Sequence, residues 1–65
     1  MPRYFFHVHL GDTLERDTVG LELTDLREAV VSAHRARAQI VSEDALDHLW
    51  LEIADENGHF LAKID

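Results

Sequence analysis

The sequence contains no cysteine, which excludes a large group of site chemistries. Without thiols the chain of 65 residues has no disulfide, no cysteine nucleophile and no zinc-finger or iron–sulfur ligand set. One proline and three dispersed glycines leave no proline-rich linker and no glycine-rich phosphate loop. A domain of this size buries only about 60% of the surface that its unfolded chain exposes. We therefore expect a marginal core that needs a metal, a partner subunit or very regular packing to be stable.

Cations are also scarce, with 6 Lys+Arg against 13 Asp+Glu and a formal net charge of −7. Each phosphate contact in a nucleic-acid complex needs a cation, so direct binding to DNA, RNA or an anionic membrane is not expected. The hydrophobic fraction of 46% is nevertheless too high for a disordered acidic tail. The composition predicts one acidic globular domain over residues 1–65.

Long hydrophobic runs are absent too. No stretch approaches the ~18 consecutive apolar residues of a membrane-spanning helix. The apolar opening segment is interrupted by His7 and His9 and lacks a small-residue cleavage site, unlike a signal peptide. We expect a protein of the cytoplasm without membrane association.

Hydrophobic alternation is present at the start and predicts a strand over residues 3–10. One face carries Tyr4, Phe6, Val8 and Leu10, and the other carries Arg3, Phe5, His7 and His9. Gly11-Asp12 signals a turn into a second strand over residues 13–17. A three-residue loop would set Leu14 opposite Val8 and Glu15 opposite His7, whereas a two-residue loop would set Glu15 opposite Val8. We favour the three-residue loop because it keeps the apolar residues on one face.

A helix is predicted from about residue 25 to residue 41. Thr24 or Asp25 supplies the N-cap, and Asp25 and Glu28 have the spacing of a capping box. An apolar stripe follows at helical spacing: Leu26, Ala29, Val30, Ala33, Ala36 and Ile40. Arg37 lies near its edge, where it either covers the core with its stem or serves a partner site. The acidic residues 42–47 form a connector that frays or extends the helix.

The last segment is a hairpin with strands near residues 49–54 and 60–64. Asn57-Gly58 is a strong hairpin signal because both residues tolerate positive φ. A two-residue loop would pair Leu51 with Ile64, Glu52 with Lys63 and Ile53 with Ala62; a four-residue loop would shift the partners. Phe60, Ala62 and Ile64 are expected to face inward together. The chain is thus α+β, with order ββαββ, a four-stranded antiparallel sheet of strand order 2-1-3-4 and one helix packed on one face.

Several local motifs extend over nearly the whole chain. Residues 1–8 read Met-Pro-Arg-Tyr-Phe-Phe-His-Val, followed by Gly11-Asp12, Asp17-x-x-Gly20, residues 22–26 (Glu-Leu-Thr-Asp-Leu) and residues 55–58 (Asp-Glu-Asn-Gly). This pattern resembles a family of short bacterial proteins known only as a domain of unknown function. The chain departs from it at Leu10, where a polar turn residue is usual, and at Thr24, where proline is common. The resemblance supports the fold and implies no activity, cofactor or catalytic residue.

Two histidines offer a candidate metal site. His7 and His9 share one face of the first strand because side chains two apart on a strand point the same way. With Glu15 across the hairpin they would form a set of two histidines and one carboxylate, as used for zinc or iron. Solvated surface histidines explain the same pattern, so we expect no bound metal.

Catalytic arrangements are missing from the sequence. Ser32 and Ser42 lie in or beside the helix, without a nucleophile motif. Asp12, Asp17 and Glu22 lack the spacing of a calcium loop. A domain this thin leaves little room for a small-molecule pocket of about 300 Å³ or more. We expect neither an enzyme nor a cofactor.

Apolar residues on the face without the helix suggest an interface. Phe5, Trp50 and Leu61 all fall on that face by alternation, and Phe5 is expected near Trp50 if their strands are neighbours. An exposed apolar cluster of this kind marks a contact surface. The sequence favours a small acidic interaction module that binds a protein partner or forms a homodimer. The alternative is an antitoxin-like regulator of a nucleic-acid-binding partner, suggested by the ββ-then-helix order and the acidic start of the helix.

Overall fold

The computed structural model describes residues 1–44 and 48–65. Its elements are, in chain order, β1 (Arg3–Leu10), β2 (Thr13–Glu15), β3 (Leu21–Glu22), α1 (Leu26–Asp44), β4 (Leu49–Ala54) and β5 (Phe60–Ile64). Residues 45–47 of the predicted acidic connector lie outside the described residues. Within the described ranges, no helix combines the length and the apolar character needed to cross a membrane.

The strands form one antiparallel sheet with the order β2-β1-β4-β5. This confirms the α+β fold, in which the helix packs on one face of the sheet. The difference is β3, a short additional strand that pairs with β1 at Arg3–Glu22 and Tyr4–Leu21. Along one edge, β1 therefore pairs with β3 near its start and with β2 near its end.

The core lies between α1 and one face of the sheet. It contains Tyr4, Leu23, Ala29, Ala33, Leu51, Ile53 and Ile64. Ala29 and Ala33 have no exposed surface, and Leu51 and Ile53 are the largest fully buried side chains. The small alanine side chains allow the helix backbone to approach the large side chains of β4. A larger side chain on the buried face of α1 would separate the two layers.

The helix begins as predicted. Asp25 Oδ1 accepts a hydrogen bond from the Glu28 N–H at 2.9 Å, and Glu28 Oε2 accepts one from the Thr24 N–H at 3.4 Å. The first contact satisfies one of the N–H groups that a helix start leaves without helical partners, and the second connects Glu28 to the residue before the cap. The helix extends past the predicted end at residue 41 and continues to Asp44.

The buried face of α1 differs from the predicted stripe. Ala36 is exposed, so its prediction as a core residue is wrong, and Leu26 is 38% exposed. The buried row instead follows a four-residue spacing through Ala29, Ala33 and the half-buried Arg37. Arg37 donates from Nε to the Leu49 carbonyl oxygen at 2.9 Å. This arginine therefore connects the helix to the first residue of β4.

The first hairpin has a two-residue loop. The register pairs Leu10 with Thr13, His9 with Leu14 and Val8 with Glu15. The predicted three-residue loop, with Glu15 opposite His7, is therefore wrong. Gly11 has φ +57°, and tight two-residue hairpin turns need this left-handed conformation at their first position. The turn can determine the register because Leu14 and Glu15 are both exposed, so little burial depends on their face.

The second hairpin has the register of one of the two alternatives, without the loop that this alternative contains. Leu51 pairs with Ile64, Glu52 with Lys63 and Ile53 with Ala62, the partners expected for a two-residue loop. Hydrogen bonds from Gly58 N–H to Asp55 O and from Asp55 N–H to His59 O enclose a three-residue loop. Ala54 then pairs with Phe60, which makes Leu61 an extra bulge residue. Phe60 is 57% exposed, so its prediction as an inward residue is wrong.

Close packing of α1 on the sheet can be tested by enlarging one alanine. Ala33→Leu should lower the free energy of unfolding by about 1–3 kcal/mol, because the larger side chain has no space against β4. Ala36→Leu is the matched control, and its effect should stay within about 0.5 kcal/mol because Ala36 is exposed. Urea unfolding followed by circular dichroism gives both values. Equal losses in the two variants would contradict this packing.

Candidate binding surface on the outer sheet face

The face of the sheet opposite α1, here called the outer face, carries cross-strand rows of side chains. Directly paired residues of antiparallel strands share a face. The rows are Phe5–Ala54–Phe60, His7–Glu52–Lys63 and His9–Trp50, with Leu14 beside His9. Tyr4 and Phe6 alternate with these residues and pack in or against the core. The outer face therefore combines aromatic side chains with a polar middle row.

The Trp50 side chain is held in place on the outer face by contacts with two neighbouring side chains. The His9 ring stacks on it with centroids 3.8 Å apart and an interplanar angle of 4°. Lys63 Nζ lies 4.8 Å from the centroid of the Trp50 ring, within the range of a cation–π contact. His9 Nε2 lies 2.8 Å from Glu52 Oε1, which fixes the imidazole. An aromatic ring held in this way loses little conformational entropy when it contacts a partner.

The candidate metal ligands do not come together. His7 and His9 share the outer face, but Glu15 pairs with Val8 and so lies on the other side of the sheet. His7 Nδ1 also accepts a hydrogen bond from the Asp17 N–H at 3.0 Å. Among the described residues, no three His, Asp or Glu side chains are grouped so that they could hold a metal ion.

The three candidate interface residues are separated from one another. Phe5 and Trp50 belong to rows four residues apart along β1, about 13 Å, so the expected closeness of these two residues is wrong. Phe5 is half-buried, with its ring 6.5 Å from that of His7. Trp50 is half-buried and Leu61, the bulge residue, is 36% exposed. They therefore mark different parts of the sheet surface.

Asp17 joins the connection between β2 and β3 to β1. Its Oδ2 accepts the Phe6 N–H at 3.1 Å, and its Oδ1 accepts the N–H groups of Val19 and Gly20, each at 3.0 Å. Its own N–H donates to His7 Nδ1. Phe6 lies between the part of β1 that pairs with β3 and the part that pairs with β2. The carboxylate therefore takes the place of a strand at this point of the sheet edge.

These contacts keep Asp17 ionised. Burial alone would raise the pKa of the Asp17 carboxyl group, but the N–H groups of Gly20, Phe6 and Val19 stabilise its charged form. Together with the nearby His7 they bring the pKa of Asp17 below its ordinary value. The negative charge is thus part of the folded structure.

Gly20 allows the connection to lie against β1. Its φ is +74°, and a Cβ atom there would come within 2.9 Å of Arg3 Cγ and Phe5 Cε2. Arg3 donates from Nη1 to the Val19 carbonyl oxygen at 2.8 Å and from Nη2 to Glu22 Oε1 at 3.2 Å. The connection therefore covers the Phe5 end of the outer face, while Trp50 and Leu14 lie outside it.

Sequence reasoning missed two exposed residues of this face, Leu14 and Phe60. Leu14 is 39% exposed and pairs with His9. The Gly11-Asp12 pair, taken as a two-residue turn, would have placed it correctly. Phe60 reaches the outer face because of the bulge at Leu61, which has no signal in the sequence.

Comparison with known families supports the resemblance noted in the sequence. The family described as a domain of unknown function, DUF6894, matches residues 3–65. The chain belongs to the DUF6894 family. Comparisons with curated proteins and with solved structures give no match. The family assignment of this DUF6894 domain is therefore established.

The restricted space at Gly20 gives a matched stability test within the DUF6894 domain. Gly20→Ala and Gly58→Ala both place a side chain at positive φ, which costs about 1–2 kcal/mol. Only at Gly20 would the new Cβ meet other atoms within 4 Å. Gly20→Ala should therefore lose at least about 1 kcal/mol more than Gly58→Ala in urea unfolding. Similar losses in both variants would show that the connection does not pack closely on β1.

The ionised Asp17 predicts a specific response to acid. Because the pKa of Asp17 is lowered in the folded state, its stabilisation is complete above the unfolded value of about 3.9 and declines as the pH falls through the folded value. The difference in unfolding free energy between wild type and Asp17→Asn should thus be constant near neutral pH and shrink in acid. Urea unfolding across this range measures it. Asp12→Asn, in the exposed hairpin loop, should show the same dependence of unfolding free energy on pH as the wild type. If the difference between wild type and Asp17→Asn stayed constant into acid, the stabilising role of the ionised Asp17 would be contradicted.

Proposed function

We propose that this DUF6894 domain is a small acidic protein-interaction module that binds a protein partner or a second copy of itself through the outer face. The observation that carries the proposal is the exposure of large apolar side chains there. Phe60 is 57% exposed and Leu14 is 39% exposed, with Leu61 at 36% in the adjacent bulge. These side chains lie on the part of the outer face that the connection between β2 and β3 leaves uncovered, and exposed large apolar side chains are typical of contact surfaces.

The electrostatics of the outer face support the same proposal. Its cross-strand rows contain one carboxylate, Glu52, which lies opposite the cation Lys63 and has its Oε1 atom 2.8 Å from His9 Nε2. Lys63 is exposed in the same row. The outer face is therefore much less acidic than the composition of the chain, so an apolar partner surface can approach it without strong repulsion.

The proposal includes no catalytic role. The polar groups of the outer face contact one another, as in the His9–Glu52 and His7–Asp17 pairs, and they support the aromatic side chains. We place the module in the bacterial cytoplasm, as the family resemblance suggests. A small basic nucleic-acid-binding protein as the partner would make the domain an antitoxin-like regulator.

Association through the outer face can be measured directly. Sedimentation equilibrium from micromolar to millimolar concentration should show an apparent mass that rises above the monomer, or a complex when the partner is added. Trp50→Ser combined with Phe60→Ser should weaken this association at least about tenfold, since central aromatic side chains dominate interface energies.

Leu21→Ser provides the matched control. Leu21 is 47% exposed, but it pairs with Tyr4 and so does not lie on the outer face. This variant should associate as the wild type does. A protein that stays monomeric at every concentration, and whose outer-face variants retain all wild-type partners, would contradict the proposal.

A further inference from the structure

A second surface of the molecule carries unpaired positive charge. Three of the six cations have clear structural contacts: Arg3 with Glu22, Arg37 with the Leu49 carbonyl oxygen, and Lys63 with the Trp50 ring. Arg16, Arg27 and Arg35 differ, because all three are exposed and none takes part in an ion pair or a side-chain hydrogen bond among the described residues. Arg27 and Arg35 both belong to α1, whereas Arg16 lies outside it.

The two arginines belong to one continuous stripe on the exposed side of α1. At about 100° per residue, an arc of roughly 100° contains all of its members. They are Arg27, Val31, His34, Arg35, Ala38 and Ser42, and every one of them is exposed. We call this set the helix stripe. Val31 is 46% exposed and lies four residues from each arginine, at the centre between the two charges.

The sequence around the helix stripe keeps acidic residues away from it. On a helix, residues three and four apart are neighbours. Arg27 and Arg35 have no Asp or Glu at these spacings, although acidic residues are frequent elsewhere in the chain. Glu28 is close in sequence, but its side chain reaches back to the Thr24 N–H. The charge of the stripe is thus available to an external group.

We propose that the helix stripe is a docking site for an acidic protein segment that presents two carboxylates on either side of an apolar side chain. Arg27 and Arg35 are about 12 Å apart along the helix axis, slightly more than two turns. A helical partner with carboxylates at that spacing would pair with both guanidinium groups. Its apolar residue would cover Val31. The small side chains of Ala38 and Ser42 allow the partner to approach closely.

The charges of the protein argue against nucleic acid and against a second copy of the chain as the partner of the helix stripe. Nucleic acid needs many phosphate contacts, and two arginines on a molecule of net charge −7 do not provide them. A second copy docked stripe to stripe by a two-fold axis would bring like charges together. An acidic protein segment matches both the charge and the length of the stripe. This site is on the opposite layer from the outer face, so its test is independent of the proposed function.

The experiment uses the ¹⁵N-labelled full chain and two synthetic helical peptides. One peptide has glutamates two helical turns apart with leucine between them, and the other has glutamine in place of each glutamate. The acidic peptide should shift the amide signals of α1 and bind with a dissociation constant on the order of hundreds of micromolar. The glutamine peptide should bind at least about fivefold more weakly. Raising the salt concentration should weaken the binding of the acidic peptide, because salt screens the attraction between opposite charges.

Protein variants identify the site. Arg27→Gln combined with Arg35→Gln should raise the dissociation constant of the acidic peptide at least about fivefold. Val31→Ser should raise it about twofold or more. Arg16→Gln is the matched control because Arg16 is exposed and lies outside α1. Equal weakening by Arg16→Gln would overturn the proposal. So would peptide shifts confined to the sheet, tighter binding of duplex DNA, or concentration-dependent self-association through α1.

Discussion

The rest of this domain depends on one partly buried hydrogen bond at the edge of the sheet. The Phe6 N–H donates it to the Asp17 carboxylate. In the part of the chain that the structure describes, two short strands lie along that side of β1, and neither reaches Phe6. A strand N–H without a partner costs free energy wherever water is excluded. Asp17 supplies the acceptor, and the same carboxylate holds Val19 and Gly20, so the chain can turn from β2 to β3 close to the sheet.

The position of this connection determines which surfaces remain available. It covers the end of the outer face at Phe5 and contacts His7, whereas Trp50, Leu14 and Phe60 lie beyond it. On the other layer, Ala29 and Ala33 set the distance between helix and sheet, while Arg27 and Arg35 of α1 are exposed. One small domain thus presents aromatic side chains on one layer and exposed arginines on the other.

The sequence predicts the elements that several residues in a regular pattern, or a known capping motif, determine together. Alternation in β1 and β4 identifies the core face correctly because several buried residues agree, and the Asp25–Glu28 cap marks the start of the helix. Features decided by single local contacts are not predictable in this way. The two-residue turn at Gly11 moves Leu14 to the outer face, and the bulge at Leu61 does the same for Phe60. The role of Asp17 depends on a distant N–H group and has no signature beyond its turn motif.

The central claim is that Asp17 fixes the sheet edge, and native-state amide hydrogen exchange tests it most directly. The Phe6, Val19 and Gly20 amides all donate to the same carboxylate, so they should exchange slowly and with similar opening free energies. In Asp17→Ala, which removes both carboxylate oxygens, these three amides should lose protection together, while the β4 amides of Leu51 and Ile53 keep theirs relative to global unfolding. A Phe6 amide that exchanges as rapidly as an exposed loop amide in the wild type would contradict the account.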